Sequence, residues 1–215
     1  MNRKELKENA KRQISGNVSC LFCCLAVLSA SQSLLFWKWD IFSFFQFNKI
    51  NLNFSFCLLG LAISIIISPI IRFSLVKTYL KVSRDQPFSL KEFFKGLIDF
   101  RYTDKIVWLN ILISVFTFLW SILLIIPGIV KSYSYSMAFY ILADNPSMKS
   151  MEALKESQKM MDGHKWELFI LDLSFIWWNL LAAITFGVAY IYVGPYYEAT
   201  RTNFYNYLKE KEQVI

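Results

Sequence analysis

The sequence predicts an all-α polytopic membrane helix bundle. It has about six transmembrane helices and two amphipathic helices along the cytoplasmic interface. Three observations predict it. The 215-residue chain is 55% hydrophobic and 18% aromatic, with a mean hydropathy of +0.38, which is more apolar surface than one soluble core of this size hides. No charged residue lies between Arg12 and Lys38, Lys49 and Arg72, Lys105 and Lys131, or Asp172 and Glu198, and each gap holds at least 22 residues. About 20 apolar residues cross the hydrocarbon layer as a helix. The lysines and arginines behind the net charge of +7 flank these runs. They form no single basic face, which is the pattern of membrane loops and not of a nucleic-acid partner.

The first span is placed at 16–37. The basic start, Met1 to Arg12, contains Glu5 and Glu8, and the run behind it is long enough to cross, so this helix is read as retained. The small residues Ser29-Ala30-Ser31 make signal-peptide cleavage the alternative. Cys20, Cys23, Cys24 and Cys57 all fall inside spans, where cysteine is a small apolar filler. No second pair accompanies Cys20-x-x-Cys23, so no metal site and no disulfide are expected. An aromatic loop, 38–53, leads to a second span at 54–80 that contains Pro69, where a kink is expected. Arg72 and Lys77 can reach for headgroups near its end.

In the stretch 89–100, Ser89 and Glu92 have capping-box spacing, and Leu90, Phe93, Phe94, Leu97 and Ile98 share one face. Such a helix lies in the interface, or packs as a small helix on neighbouring loops. The third span is 104–126. Pro127 and Gly128 then read as a hairpin turn into a shorter fourth span, 129–143. Asn145-Pro146 reads as the N-cap and first position of the second amphipathic helix, 147–162, with Met148, Met151, Leu154 and Met161 on one side and Gly163 as its stop. From Trp166 the chain is apolar for about thirty residues except for Asp172, too long for one span. A turn at Thr185-Phe186-Gly187 divides it into spans at 166–186 and 187–207, the last broken again at Gly194-Pro195. With both termini cytoplasmic, twenty of the twenty-three lysines and arginines fall on the inner side, as the positive-inside bias requires.

One family pattern runs through these segments. Leu119-Trp120-Ser121, the Ile126-Pro127-Gly128-Ile129 break, Lys131, the Ser132 to Met137 run and Tyr140 to Pro146 form a first block. Ala153-Leu154, Glu156-Ser157, Met161, Gly163-His164-Lys165-Trp166 and Leu168-Phe169 form a second, followed by Leu173 to Ile176, Pro195-Tyr196 and Phe204-Tyr205. Together they resemble the domain of unknown function 975 (DUF975) family of multi-pass bacterial membrane proteins, common in Gram-positive bacteria. The resemblance covers about 85–208. It implies a helical architecture in the bacterial cell membrane and no established activity.

The chain has one histidine, His164, beside Asp162, Lys165 and Glu167. No His-Glu-x-x-His, Gly-rich phosphate loop or Gly-x-Ser-x-Gly elbow is present, so no catalytic residue, metal or cofactor is assigned. His164, Lys165 and Trp166 read as an interfacial headgroup contact. Asp172 lies within a span, where an unpaired carboxylate costs about 2.5–3.5 kcal/mol. Lys131 and Arg201 are its candidate partners, and Glu198 can pair with Arg201 three residues on. An ion pair that locks the helices is one reading of this set; a polar path or substrate contact is the other.

The expected function is therefore non-enzymatic: binding of a membrane partner, a lipid of the bilayer or a membrane-active peptide, as in envelope stress or bacteriocin immunity. A small transporter or channel subunit is the alternative, and an intramembrane lipid hydrolase the second.

Overall fold

The computed structural model describes residues 3–15, 21–26, 50–87, 89–98, 100–123, 125–185 and 188–213, and every regular element among them is helical. The first span falls outside these residues except for 21–26, which are helical and bury Leu21 and Cys24. The aromatic loop falls outside them up to residue 49. The helices are α1 (Arg3–Ser15), α2 (Ile50–Ser83), α3 (Leu90–Ile98), a 3-10 turn at Phe100–Tyr102, α4 (Thr103–Leu123), α5 (Ile125–Ser134), α6 (Ala138–Asp144), α7 (Ser150–Met160), α8 (Lys165–Leu173), α9 (Ile176–Ile184) and α10 (Tyr190–Gln213).

Two apolar clusters hold them together, with α2 and α10 contributing to both. Phe73, Val76 and Leu80 of α2 join Leu109, Leu142, Leu154, Met161, Leu168 and Phe204. Ile71, Leu75, Tyr79 and Val82 join Ala10, Ile14, Leu21, Phe93 and Ala199. Steps of three and four residues put each set on one side of the helix. α4 occupies the place of the third span, and Thr103–Ile122 is long and apolar enough to cross a membrane. Only 17% of its apolar window is buried inside the protein.

Pro127 and Gly128, expected as the hairpin turn itself, lie instead in the first turn of α5, which folds back on α4. Proline is tolerated there because the first N–H groups of a helix have no intrahelical partner. Gly128 has a separate reason. A Cβ added to it would stand 2.9 Å from the Ser121 Cα and collide with the Ser121 hydroxyl. Residues seven apart in a continuous helix are about 10 Å apart, so this approach requires α5 to fold back on α4.

The fourth span is not one helix. It divides into α5 and α6, 10 and 7 residues long, or about 15 and 10 Å, with a turn at Tyr135, Ser136 and Met137. Ser157 of α7 explains how a buried chain can break there. Its hydroxyl donates to the Ser134 carbonyl at 2.8 Å and accepts from the Met137 N–H at 3.2 Å. Both groups, freed by the break, are thereby satisfied. The fifth span also divides, into α8 and α9, at Ser174-Phe175. The turn sends the Phe175 ring, 1% exposed, into edge contacts with Tyr196 and Tyr197 at 5.1 and 5.3 Å. Conversely, α10 runs unbroken through Gly194-Pro195. Proline withholds one hydrogen bond, while the burial of Val193 and the Tyr196–Phe175 contact hold the flanking turns.

Both amphipathic helices are shorter than expected. The second begins at Ser150, not 147, with Lys149 at its N-cap. Asn145 closes α6 instead, its N–H donating to the Ile141 carbonyl at 2.9 Å. Lys105 Nζ donates to the carbonyls of Pro146 and Ser147 at 3.1 and 2.9 Å, which holds this stretch as a turn. α7 buries Ser150, Ala153, Leu154, Ser157 and Met160, while Met151 is exposed. Gly163 stops it with φ +75°, a conformation that costs glycine little. In α3, Ser89 Oγ accepts from the Lys91 N–H at 3.3 Å, but Glu92 pairs with Lys81 at 2.8 Å and not with Ser89. Phe93 is buried and Phe94 exposed, so the apolar face is narrower than its spacing suggested.

Candidate functional site

α4 carries a polar stripe through its apolar sequence: Asn110, Ser114 and Thr117, spaced four and three residues apart and therefore on one face. Facing it are Ser132, Tyr133, Tyr135 and Ser136 from α5 and the following turn, with Arg72 of α2, Asp172 of α8 and Arg201 of α10. Together with Ile113, Ile129 and Phe139 they line a half-open cavity of about 590 Å3. That volume is in the range of small-molecule sites, about 300–1,000 Å3.

The charged groups of this cavity form no ion pair with one another among the described residues. Arg201 lies over the Tyr197 ring at 5.5 Å, and the hydroxyls of Tyr197 and Tyr133 stand against the Asp172 carboxylate. Arg201 and Asp172 share the cavity and interact electrostatically. Even so, Arg201 Nε, Asp172 Oδ1 and Thr117 Oγ1 are buried without a hydrogen-bond partner. Arg72 lies over the Phe139 ring at 5.4 Å, at the exposed side of the cavity. Of the buried charges singled out from sequence, Asp172 and Arg201 thus come together. Glu198 acts on Arg201 through its charge. Lys131 does not line the cavity; its ammonium sits over the Trp120 ring at 5.0 Å.

A second polar cluster lies outside the cavity lining. The Asp144 carboxylate accepts both guanidinium arms of Arg84 at 2.8 Å each, Lys209 Nζ at 2.6 Å and the Tyr205 hydroxyl at 3.0 Å. Asn206 Nδ2 donates to Ser83 Oγ at 2.8 Å, and Gln13 Nε2 to the Ser83 carbonyl at 3.1 Å. The cluster therefore ties α1, α2, α6 and α10. Burial would raise the Asp144 pKa, but the hydrogen bonds and charges of Arg84 and Lys209 outweigh it and hold the carboxyl below its ordinary value. The same pairing raises Arg84. The Asp144 side chain is only 8% exposed.

His164 Nδ1 lies 3.0 Å from Glu167 and its Nε2 3.3 Å from Lys211 Nζ, outside the cavity. Lys165 is 3.6 Å from Asp162, and exposed Trp166 stacks on Phe169 at 5.0 Å. Among the described residues no group of three or more His, Cys, Asp or Glu is placed to hold a metal ion.

Residues 122–212 match the model of a family described as "Protein of unknown function (DUF975)". This segment belongs to the DUF975 family. The match begins later than the 85–208 over which the resemblance was read. No curated protein and no solved structure matches the chain. The DUF975 segment supplies the α5, α8 and α10 walls of the cavity and all of the Asp144 cluster except Arg84, Ser83 and Gln13. Arg72 and the α4 stripe come from the chain before it.

Proposed function

We propose that this is a multi-pass protein of the bacterial cell membrane, with both termini cytoplasmic, that works by binding a polar ligand of the membrane and not by catalysis. The observation that carries the reading is the cavity, whose lining residues Thr117, Asp172 and Arg201, from three helices, each carry a buried polar atom without a hydrogen-bond partner. Burying such atoms unpaired costs about 1–3 kcal/mol each, and a ligand that pairs them recovers that cost. The membrane location is supported by Phe118, Ile122, Ile126, Trp166, Trp177 and Ile184, which are 65–75% exposed. A surface of this kind suits lipid better than water. It is also supported by the apolar helix Thr103–Ile122, of whose apolar window only 17% is buried inside the protein. Native mass spectrometry of the protein released from membranes in mild detergent tests the reading. A lipid or small polar adduct is expected in the wild type and should be lost in Arg201→Gln. A wild-type protein that carries no adduct would overturn it.

One observation favours transport as a second reading. The turn at Tyr135 and Ser136 that breaks the fourth span lines the cavity, and Asp172 sits two residues before the break at Ser174-Phe175. Broken helices around a polar cavity are a construction that transporters use. Uptake into proteoliposomes that Asp172→Asn abolishes, at unchanged protein level, would move the conclusion to transport.

A further inference from the structure

We infer that the cavity is a site for a zwitterion: an anionic group, phosphate or carboxylate, against Arg201 and Arg72, and an ammonium a few bonds away against Asp172. The inference rests on the binding reading above and names its ligand class.

Arg201 and Asp172 line one cavity without forming an ion pair. In a structural ion pair, Arg201 and Asp172 would close on each other. Instead both engage Tyr197, one turn from Arg201 on α10: its ring lies under the guanidinium at 5.5 Å, and its hydroxyl interacts with the Asp172 carboxylate. What remains is a buried donor, Arg201 Nε, and a buried acceptor, Asp172 Oδ1, both unpartnered on the walls of one cavity. Arg72, at the exposed side, adds a second cation that makes no hydrogen bond or ion pair among the described residues beyond its Phe139 contact.

Each simpler ligand leaves part of this set unsatisfied. A purely anionic ligand would pair the guanidinium groups, be repelled by Asp172 and leave Oδ1 bare. A purely cationic one would reverse the fault and face two guanidinium groups. An apolar ligand would pair none of these atoms. A phosphate or carboxylate with a neighbouring ammonium pairs both signs, and the Thr117 hydroxyl, also unpartnered on the cavity wall, adds a neutral hydrogen bond. The shared chemistry has two sources: the headgroup of a phosphatidylethanolamine-type lipid, or a free molecule such as phosphoethanolamine or an amino acid.

The experiment uses the purified full-length protein. It is offered phosphatidylethanolamine, phosphatidylglycerol, soluble phosphoethanolamine, glycine and inorganic phosphate in turn, with binding read by native mass spectrometry and titration calorimetry. At least one zwitterion is expected to bind about tenfold or more tighter than phosphatidylglycerol or inorganic phosphate, because one charge-assisted hydrogen bond is worth at least that factor. Retention of the lipid alone assigns the headgroup as the source; retention of a soluble zwitterion assigns the free molecule. Asp172→Asn should abolish the preference and Arg201→Gln the binding itself, each scored on monodisperse protein. Thr117→Val keeps the shape and spares the charges, so it remains informative if the charge variants do not fold; a several-fold loss of zwitterion affinity is expected. Phosphatidylglycerol or inorganic phosphate bound as tightly as every zwitterion would overturn the zwitterion assignment while leaving binding intact. A preference untouched by Asp172→Asn, or an affinity untouched by Thr117→Val, would do the same. Failure of the wild type to retain any of the five would overturn the binding reading as well.

Discussion

Asp144→Asn removes one negative charge from a point where two cations converge. The carboxylate accepts Arg84 through both oxygens at 2.8 Å, Lys209 at 2.6 Å and Tyr205 at 3.0 Å, with 8% of the side chain exposed. Asparagine keeps the volume, but it loses the bidentate grip and turns an amide donor toward a cation. Breaking a buried pair from one side costs about 3–5 kcal/mol. Arg84 and Lys209 are 35% and 36% exposed, so water recovers part of that cost, and the expected loss is about 2–3 kcal/mol. The same contacts make stability depend on pH. The folded Asp144 pKa lies below its ordinary value near 3.8. The contribution is therefore complete above the unfolded value and is lost as pH falls through the folded one. Thermal and denaturant unfolding in detergent should show a lower midpoint for the variant at pH 7. The wild type should also show a destabilisation below about pH 4 that the variant lacks in this part. A variant within about 0.5 kcal/mol of wild type at pH 7, with the same acid limb, would refute the reasoning.

Ser157→Ala leaves the Ser134 carbonyl and the Met137 N–H unpaired inside the core, and a loss of about 1–3 kcal/mol is expected in the same unfolding assay. Gly128→Ala drives a methyl group against the Ser121 backbone and should cost about 1–3 kcal/mol, with Gly128→Leu failing to accumulate in the membrane. Wild-type stability in Gly128→Ala would mean that α4 and α5 do not meet at Ser121. A reporter fused after Asp162 should be cytoplasmic; a reporter found outside would reverse the proposed orientation of α5 to α8.

The parts of the fold legible in the sequence are those written in local pattern. α4 follows from an uninterrupted apolar run opened by Asp104, and the stop at Gly163 from a residue suited to positive φ. Asp172 and Arg201 stood out because charge inside an apolar run is costly, and the structure puts both on one cavity wall. The α4 stripe Asn110, Ser114, Thr117 was equally readable at helical spacing, but in a long span polar residues without charge draw less notice. The breaks at 135–137 and 174–175 leave no periodic trace. The first depends on Ser157, twenty or more residues away, and the second on where Phe175 finds room among the α10 tyrosines. The burial of Asp144 was hidden for the same reason: Arg84 and Lys209 lie 60 and 65 residues from it.

The dependence of the α5–α6 break on Ser157 has a consequence for biogenesis. When Met137 leaves the ribosome, the hydroxyl that will satisfy it is still twenty residues from being made. Until then the Ser134 carbonyl and the Met137 N–H must keep their water, so in the proposed membrane location this segment would complete its entry into the apolar phase only later. The α4–α5 hairpin, whose contacts come from residues already synthesised, has no such delay. In the membrane location proposed above, insertion would follow an order of events: hairpin first, then the arrival of α7, and only then the sealing of the chain between them.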